Sequence, residues 1–287
     1  VDVLIDFPEA KPVPWLRDAF SIPANSRLNE SGLYKSGKVL PMDAASALAV
    51  HLLDLQPGEH FLDLCCAPGM KLCLAGLQPG VASVTGVDLS RQRLSDCRSL
   101  IKRFKVPMCR LFCEDGRAFS TGVWKIGKTS ELGCNLGAPF FVSTAYRRWP
   151  VSPGAAKYDK VLVDAQCTHE GSIKHIRNAT VDTWSDCLAL QFQPEALRSL
   201  ENLQLELLAN GYNMVKVGGV VMYCTCSFSS DQNEEVIRRF LLAHPTAELE
   251  SIGSIPGIVE KDANMIRIDP RVHSSGFLFI AKIIKKG

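Results

Sequence analysis

Three aspartates and two cysteines stand where short apolar runs of the chain end, which is where an open α/β sheet binds its ligands. Asp88 closes SVTGVD, Asp115 lies in CEDG, and Asp164 closes YDKVLVDA's acidic end. Cys167 follows Asp164 by three residues, and Cys226 ends YCTC. A carboxylate roughly 20 residues beyond a glycine turn can grip two adjacent ribose hydroxyls, one oxygen to each. One such acid could equally be a helix cap or a turn residue, but three at successive strand ends point to a shared crevice. A lone cysteine usually behaves as a small buried hydrophobe. That reading covers Cys65, Cys66, Cys73, Cys97, Cys109, Cys113, Cys134, Cys187 and Cys224, whereas Cys167 and Cys226 sit at adjacent strand ends.

The turn that precedes these residues is DLCCAPGMK, Asp63 to Lys71. Pro68 and Gly69 force it tight, and the N–H groups of the next helix start face the crevice. It lacks the glycine spacing of a dinucleotide fingerprint, so a ligand with a carboxylate or small polar head suits it better than a pyrophosphate.

Elements of two kinds must carry these groups. Residues 61–65, 83–88, 108–115, 158–165, 219–226 and 276–284 read as strands, while 43–55, 69–77, 90–103, 194–215 and 231–244 read as helices. Their alternation predicts an α/β fold, doubly wound around a mostly parallel sheet with helices on both faces. Residues 1–42 read as an irregular N-terminal segment packed on a single domain of residues 43–287. Residues 119–157 show no strand or helix and form a long insertion.

Composition narrows the class. The chain has 287 residues, 46% hydrophobic and 22% charged, which excludes fibrous and disordered proteins. Its 11 cysteines include no paired CxxC knuckles, so free thiols in a reducing compartment and no metal are expected. Lys and Arg number 32 against 30 Asp and Glu, a balance of +2 that by itself indicates no nucleic acid. No apolar run is long enough to span a bilayer. An intracellular location is expected, in cytoplasm, nucleus or mitochondrion.

Taken together, LDLCCAPGMK, Asp88 with Arg93 five residues on, VLVDAQC and GGVVMYCTCSFSSDQNEEVIRRFL resemble the Sun/Fmu-type RNA cytosine-5 methyltransferase family over about residues 43–284. The resemblance implies a seven-stranded class I methyltransferase sheet and S-adenosylmethionine as cofactor. It assigns Cys65, Cys66, Ala67, Pro68, Gly69, Met70 and Lys71 to the methionine-side loop. Asp88 would hold the ribose with Arg93 beside it, Asp115 the adenine amino group, and Asp164 would lie between cofactor and target base. Cys226 matches the nucleophile and Cys167 the cysteine that helps release product. The thiolate adds at cytosine C6, so that C5 becomes electron-rich enough to take the methyl group.

The chain departs from the family pattern at Met70, where a second glycine is usual, and at Gln166, where proline is usual. It also departs at Thr168-His169-Glu170 instead of Ser-Gly, and at Ser275 instead of an acid. RNA, from tRNA or rRNA, is the expected partner, with a possible targeting protein. Lys174, His175 and Arg177 follow the Cys167 loop, Arg147 and Arg148 flank Tyr146 and Trp149, and Lys102, Arg103 and Lys105 end a helix; basic residues among aromatics suit single-stranded RNA. Two alternatives stay open: a methyltransferase-like RNA-binding or ribosome-assembly factor with reduced or no catalysis, and methylation of an exocyclic amine.

Overall fold

The computed structural model describes residues 3–120, 139–148, 157–172, 192–253, 255, 260–262 and 264–287. The Pro- and Ser-rich start of the chain makes only short elements: a ribbon of β1 (Lys11–Pro12) and β2 (Phe20–Ser21), 3-10 turns at Val3–Ile5 and Leu28–Glu30, and one turn of α-helix, α1 (Gly32–Lys35). Side chains tie it down. The Asp6 carboxylate accepts from the Leu33 N–H at 2.9 Å and the Ser31 hydroxyl at 2.6 Å, which hold it below the usual carboxylate range. Leu16 is buried in the main core, and Trp15 meets the His273 ring edge-on.

The remaining elements, in chain order, are α2 (Ala44–His51), β3 (His60–Asp63), α3 (Met70–Gly76), β4 (Ser83–Asp88), α4 (Arg91–Arg103), β5 (Cys109–Cys113), β6 (Phe141–Val142), α5 (Thr144–Arg148) and β7 (Tyr158–Asp164). There follow α6 (Pro194–Met214), β8 (Val215–Thr225), α7 (Glu234–Ala243), β9 (Ala247–Leu249), β10 (Glu260–Asp262), β11 (Met265–Ile268), α8 (Pro270–His273) and β12 (Leu278–Lys285).

The strands read as almost continuous apolar runs because both faces of the sheet are covered. Side chains alternate across a strand. Phe61, Leu162 and Met222 therefore enter one core with α2, α3 and α4 residues, while Leu62, Val161, Val163, Val221 and Tyr223 enter a second core with α6 and α7 residues. Each fully buried Leu or Phe contributes ~1.5–3 kcal/mol of transfer free energy.

Spatial order across the sheet is β10-β11-β12-β8-β7-β3-β4-β5-β6, with β9 on β12. Pairs β7–β8, β3–β7, β3–β4 and β4–β5 are parallel; β12 runs antiparallel to β8. The doubly wound α/β architecture is the expected one, and the short strands β6, β9 and β10 widen the seven central strands to ten.

One expectation fails at the insertion. Residues 119–157 were expected to hold no regular structure, yet β6 pairs antiparallel with β5 through Phe141–Leu111 and Val142–Arg110, and α5 follows it. Two residues carry no periodicity, so only the exposed edge of β5 fixes this strand. Among the described residues no helix is long and apolar enough to cross a membrane.

Candidate active site

Because β3, β4, β7 and β8 run parallel, their last residues open on one edge of the sheet. Asp164 of β7 pairs in register with Cys224 of β8. Neighbouring strands lie ~4.8 Å apart, so the segments that leave them bring Cys167 and Cys226 together.

The β3–α3 turn forms the other wall. Gly69 caps α3 in the left-handed region at φ 108°, and a Cβ there would come within 2.5 Å of Cys97 Sγ, so only glycine fits. Met70 is the first residue of α3. The backbone freedom is spent one position earlier, and Met70 needs none of the second glycine's. Asp88 is buried and accepts from the Ala67 N–H at 3.2 Å and the Ser90 N–H at 2.8 Å. Arg93 lies 3.6 Å from the same carboxylate and donates to the Ala67 carbonyl.

Two acids face each other across Lys71. The Lys71 Nζ donates to Asp164 Oδ2 at 2.7 Å. Burial opposes the ammonium charge, but the Asp164 carboxylate outweighs it and holds Lys71 above its ordinary range. Asp63 is 1% exposed; burial, reinforced by the charge of Asp164, pushes its carboxyl up to about 8.

The thiols form a tight cluster with a residue that sequence reading missed. Cys167 Sγ lies 3.3 Å from Cys226 Sγ, and His169 Nδ1 lies 3.2 Å from Cys226 Sγ and 3.5 Å from Cys167 Sγ. Burial pushes the thiols of Cys66, Cys73, Cys109 and Cys224 up. Cys167 goes the other way. The Cys226 thiol donates to it, His169 adds a second donor, and together they lower it to about 6. Loss of a second proton is opposed, because the neighbouring sulfur and burial raise Cys226 far above a free thiol. The pair therefore carries one readily ionised proton. His169 is raised, chiefly because Cys167 accepts from it. Its backbone sits at φ 60°, uncommon for a residue with a side chain.

A buried polar network holds both cysteine segments. Gln232, 1% exposed, accepts from the Thr168 N–H at 3.1 Å and donates to the Thr168 hydroxyl at 2.9 Å. Gln204 donates to the carbonyl of Gln166 at 2.7 Å, an anchor for the segment that lacks the usual proline. Asn233 accepts from the Thr225 hydroxyl and donates to the Ser227 carbonyl at 2.8 Å. Glu170 accepts from the Ser227 hydroxyl at 2.6 Å and the Phe228 N–H at 2.9 Å. The Gly171 N–H donates to the Cys226 carbonyl at 2.9 Å.

Of the residues singled out by sequence, Cys65 to Lys71, Asp88, Arg93, Asp164, Cys167 and Cys226 share this edge. Asp115 follows β5 toward it, but its carboxylate is held by Arg117 through Nε and, at 2.6 Å, Nη2; that pairing keeps it below the usual range. Lys174, His175 and Arg177 lie outside the described residues.

The other basic clusters do not join the site. Lys102, Arg103 and Lys105 stand at the far end of α4, which starts at the Asp88 edge and runs back, and Arg103 hydrogen-bonds to Tyr34. The α5 helix starts beside Ser143, whose N–H donates to the Cys109 carbonyl at the beginning of β5. Arg147, and the backbone of Arg148, are therefore also placed at the opposite edge. Tyr146 is buried beside the Arg110 guanidinium, 5.6 Å from its ring centre, and offers no surface to a base. Tyr146 and Arg147 thus stand away from the mouth, while Trp149 lies outside the described residues: charge in the sequence carries no direction, and only the antiparallel return of β6 sets where α5 emerges.

His169 was legible only as a departure from the Ser-Gly pattern. Its chemical meaning depends on Cys226, 57 residues away.

The sequence profile described as "16S rRNA methyltransferase RsmB/F" matches residues 50–284. A protein named ribosomal RNA small subunit methyltransferase B from Yersinia pseudotuberculosis serotype O:1b is 29% identical over 277 residues, 96% of this chain and 54% of that protein. The crystal structure of PH0851 superposes with a TM-score of 0.74 at 25% identity, covering 96% of this chain and 54% of that one. A methyltransferase homologue from Pyrococcus horikoshii shares the fold with a TM-score of 0.69 at 23% identity, covering 97% of this chain and 78% of that one. The chain spans about half the length of the curated relatives it matches. With the profile matched across both thiol-bearing strands and the β3–α3 turn, this chain belongs to the 16S rRNA methyltransferase RsmB/F family.

Proposed function

We propose that this chain carries the catalytic site of an S-adenosylmethionine-dependent methyltransferase that makes 5-methylcytosine in small-subunit ribosomal RNA. The observation that carries the reading is the Cys167–Cys226 pair, 3.3 Å apart at the ends of adjacent parallel strands, beside the Lys71–Asp164 ion pair. Methyl transfer to an exocyclic amine has no use for two converging thiols. Family membership supplies the RNA substrate class.

The β3–α3 turn suits the cofactor. Asp88 and Asp164 are close enough to Asp63 for it to respond to their charge, and these two carboxylates offer an acidic setting for a sulfonium cation. S-adenosylmethionine, when bound, supplies an electrophilic methyl group. Asp88, anchored by two backbone N–H groups, presents its carboxylate to the ribose hydroxyls.

The target base must leave its stack to reach this edge. Cys226 passes its proton to the Cys167 thiolate 3.3 Å away, which releases it to solvent and is free again to act as a base, and Cys226 is left as the thiolate nucleophile. Its sulfur adds to C6, and the displaced electrons move onto C5 and the N3 side of the ring. Asp164, fixed through Oδ2 by Lys71, delivers a proton drawn from solvent to N3, which removes that charge, and takes it back as the adduct collapses. C5 takes the methyl group. Cys167 accepts the C5 proton, the C6–S bond breaks, and its electrons return to Cys226.

Incubation with 5-fluorocytidine RNA tests the scheme, since fluorine at C5 blocks the proton loss that releases the enzyme. Wild-type protein with S-adenosylmethionine is expected to form a denaturant-stable adduct. Cys226→Ala should form none while still binding the cofactor, and Cys167→Ala should accumulate an adduct with ordinary cytidine RNA. A wild-type chain that binds cofactor and RNA but forms no adduct points to an assembly factor, and an active Cys226→Ala variant points to amine methylation.

A further inference from the structure

We propose that Cys167, His169 and Cys226 form a binding site for a thiophilic divalent cation, with Zn2+ the best fit. Binding is argued from geometry alone. Its consequence, a reversible block of methyl transfer by capture of the nucleophile, rests on the function proposed above.

The three donor atoms lie within 4.8 Å of one another, with edges of 3.3 Å between the sulfurs and 3.2 and 3.5 Å from His169 Nδ1 to each. Tetrahedral Zn2+, with Zn–S near 2.3 Å and Zn–N near 2.0–2.1 Å, sets S···S at about 3.8 Å and S···N at about 3.6 Å. No edge of the triangle has to open by more than about half an ångström to meet those bond lengths. Two thiolates and an imidazole select Zn2+ over oxygen-seeking Mg2+ or Ca2+. Three protein ligands with a fourth position left for water is the coordination of an open zinc site.

The surroundings resemble a ligand shell already held in shape. The Cys226 carbonyl accepts from Gly171, Thr168 is pinned from both sides by Gln232, and Glu170 fixes the Ser227–Phe228 turn after Cys226. Such support keeps the donors together in the absence of a cation. The third ligand comes from a neighbouring strand, so no CxxC spacing announces the site. Binding would release to solvent any proton still on the two sulfurs and the proton on His169 Nδ1, forming two metal–sulfur bonds and one metal–nitrogen bond with no change of oxidation state.

The test uses phosphine-reduced protein, stripped with a chelator, desalted and titrated with Co2+ and then Zn2+. One equivalent of Co2+ is expected to give a sulfur-to-cobalt charge-transfer band that Zn2+ abolishes. Cys167→Ser and Cys226→Ser should each lose the band, and His169→Ser should weaken binding by at least about tenfold, the loss that even an outer-shell partner can cause. In the wild type, Zn2+ should protect Cys226 from iodoacetamide, a readout independent of how any variant folds. Absence of stoichiometric Co2+ binding, a band unchanged in both cysteine variants, or unprotected Cys226 would overturn the site. Adduct formation with 5-fluorocytidine RNA separates the two proposals. An adduct in protein that binds no Co2+ removes the metal site and leaves the methyltransferase; Co2+ binding without any adduct from stripped protein does the reverse.

Discussion

Gly171 shows how little room the thiol site has. A Cβ at this position would lie 2.5 Å from the Cys226 carbonyl oxygen and 2.6 Å from Phe277 Cβ. Gly171→Ala must push the two cysteine segments apart, and overpacking of this kind costs ~1–3 kcal/mol. The expected result is a lower urea midpoint together with slower alkylation of Cys226; an unchanged alkylation rate would show that the segments are not in contact as described. Asp63 makes a different residue-level prediction. Its carboxyl, ordinarily ionised above pH 4, stays protonated in the folded chain up to about 8 because burial disfavours the charge. Folding therefore takes up a proton between those limits. The stability associated with this group is greatest at low pH and falls as pH rises through that window, by at most ~1.4 kcal/mol per unit. Asp63→Asn should flatten the decline, which urea titrations at pH 5 and pH 8 would reveal as a smaller difference between the two midpoints.

At the scale of elements, the site is a joint between the β7 and β8 exits, closed by polar side chains from α6 and the start of α7. Gln204, Gln232 and Asn233 are each at most 1% exposed. Satisfied buried networks rigidify, and half-satisfied ones are expensive. Asn233→Ala leaves the Ser227 carbonyl without its Asn233 donor and the Thr225 hydroxyl with only the Ser227 N–H, at an expected cost of ~1–3 kcal/mol. Gln204→Leu frees the Gln166 carbonyl and removes a partner of Gln232. It should loosen the Cys167 segment more than it perturbs the cofactor turn. Calorimetry would then find S-adenosylmethionine affinity preserved within about a factor of three, less than ~1 kcal/mol, while adduct formation slows. Equal losses in both would argue that the network supports the whole edge rather than the thiols alone.

Across the whole molecule, Asp43 joins the two ends of the domain. One carboxylate oxygen caps α2 through Ala45, and the other accepts from the Gly276 N–H at 2.7 Å, 233 residues along the chain. Asp43→Ala removes a cap and this bridge, at ~1–3 kcal/mol together. A drop of several degrees in Tm is expected, with Asp43→Asn recovering part of it because an amide oxygen can still cap. We also propose that residues 1–42 belong to the stability of this domain, since Leu16 enters its core. Leu16→Ala should cost ~2–5 kcal/mol by the cavity it leaves; a much smaller loss would mean that the segment is only loosely applied.

The six strands and five helices read from the sequence were legible because burial on both faces writes uninterrupted apolar runs, whereas the short antiparallel strands β9, β10 and β11 were not. The acids and thiols at strand ends were legible for the same local reason: each follows the last apolar residue of its run. What the sequence left open was everything set by approach between distant segments. His169 acquires a meaning only beside Cys226, Asp115 is engaged by Arg117, Tyr146 is turned inward, and α5 emerges at the edge away from the thiols. Periodicity reports which face a residue occupies in its own element. The partner across the gap, and the protonation that partner imposes, depend on strand order, register and burial, which exist only once the sheet has closed.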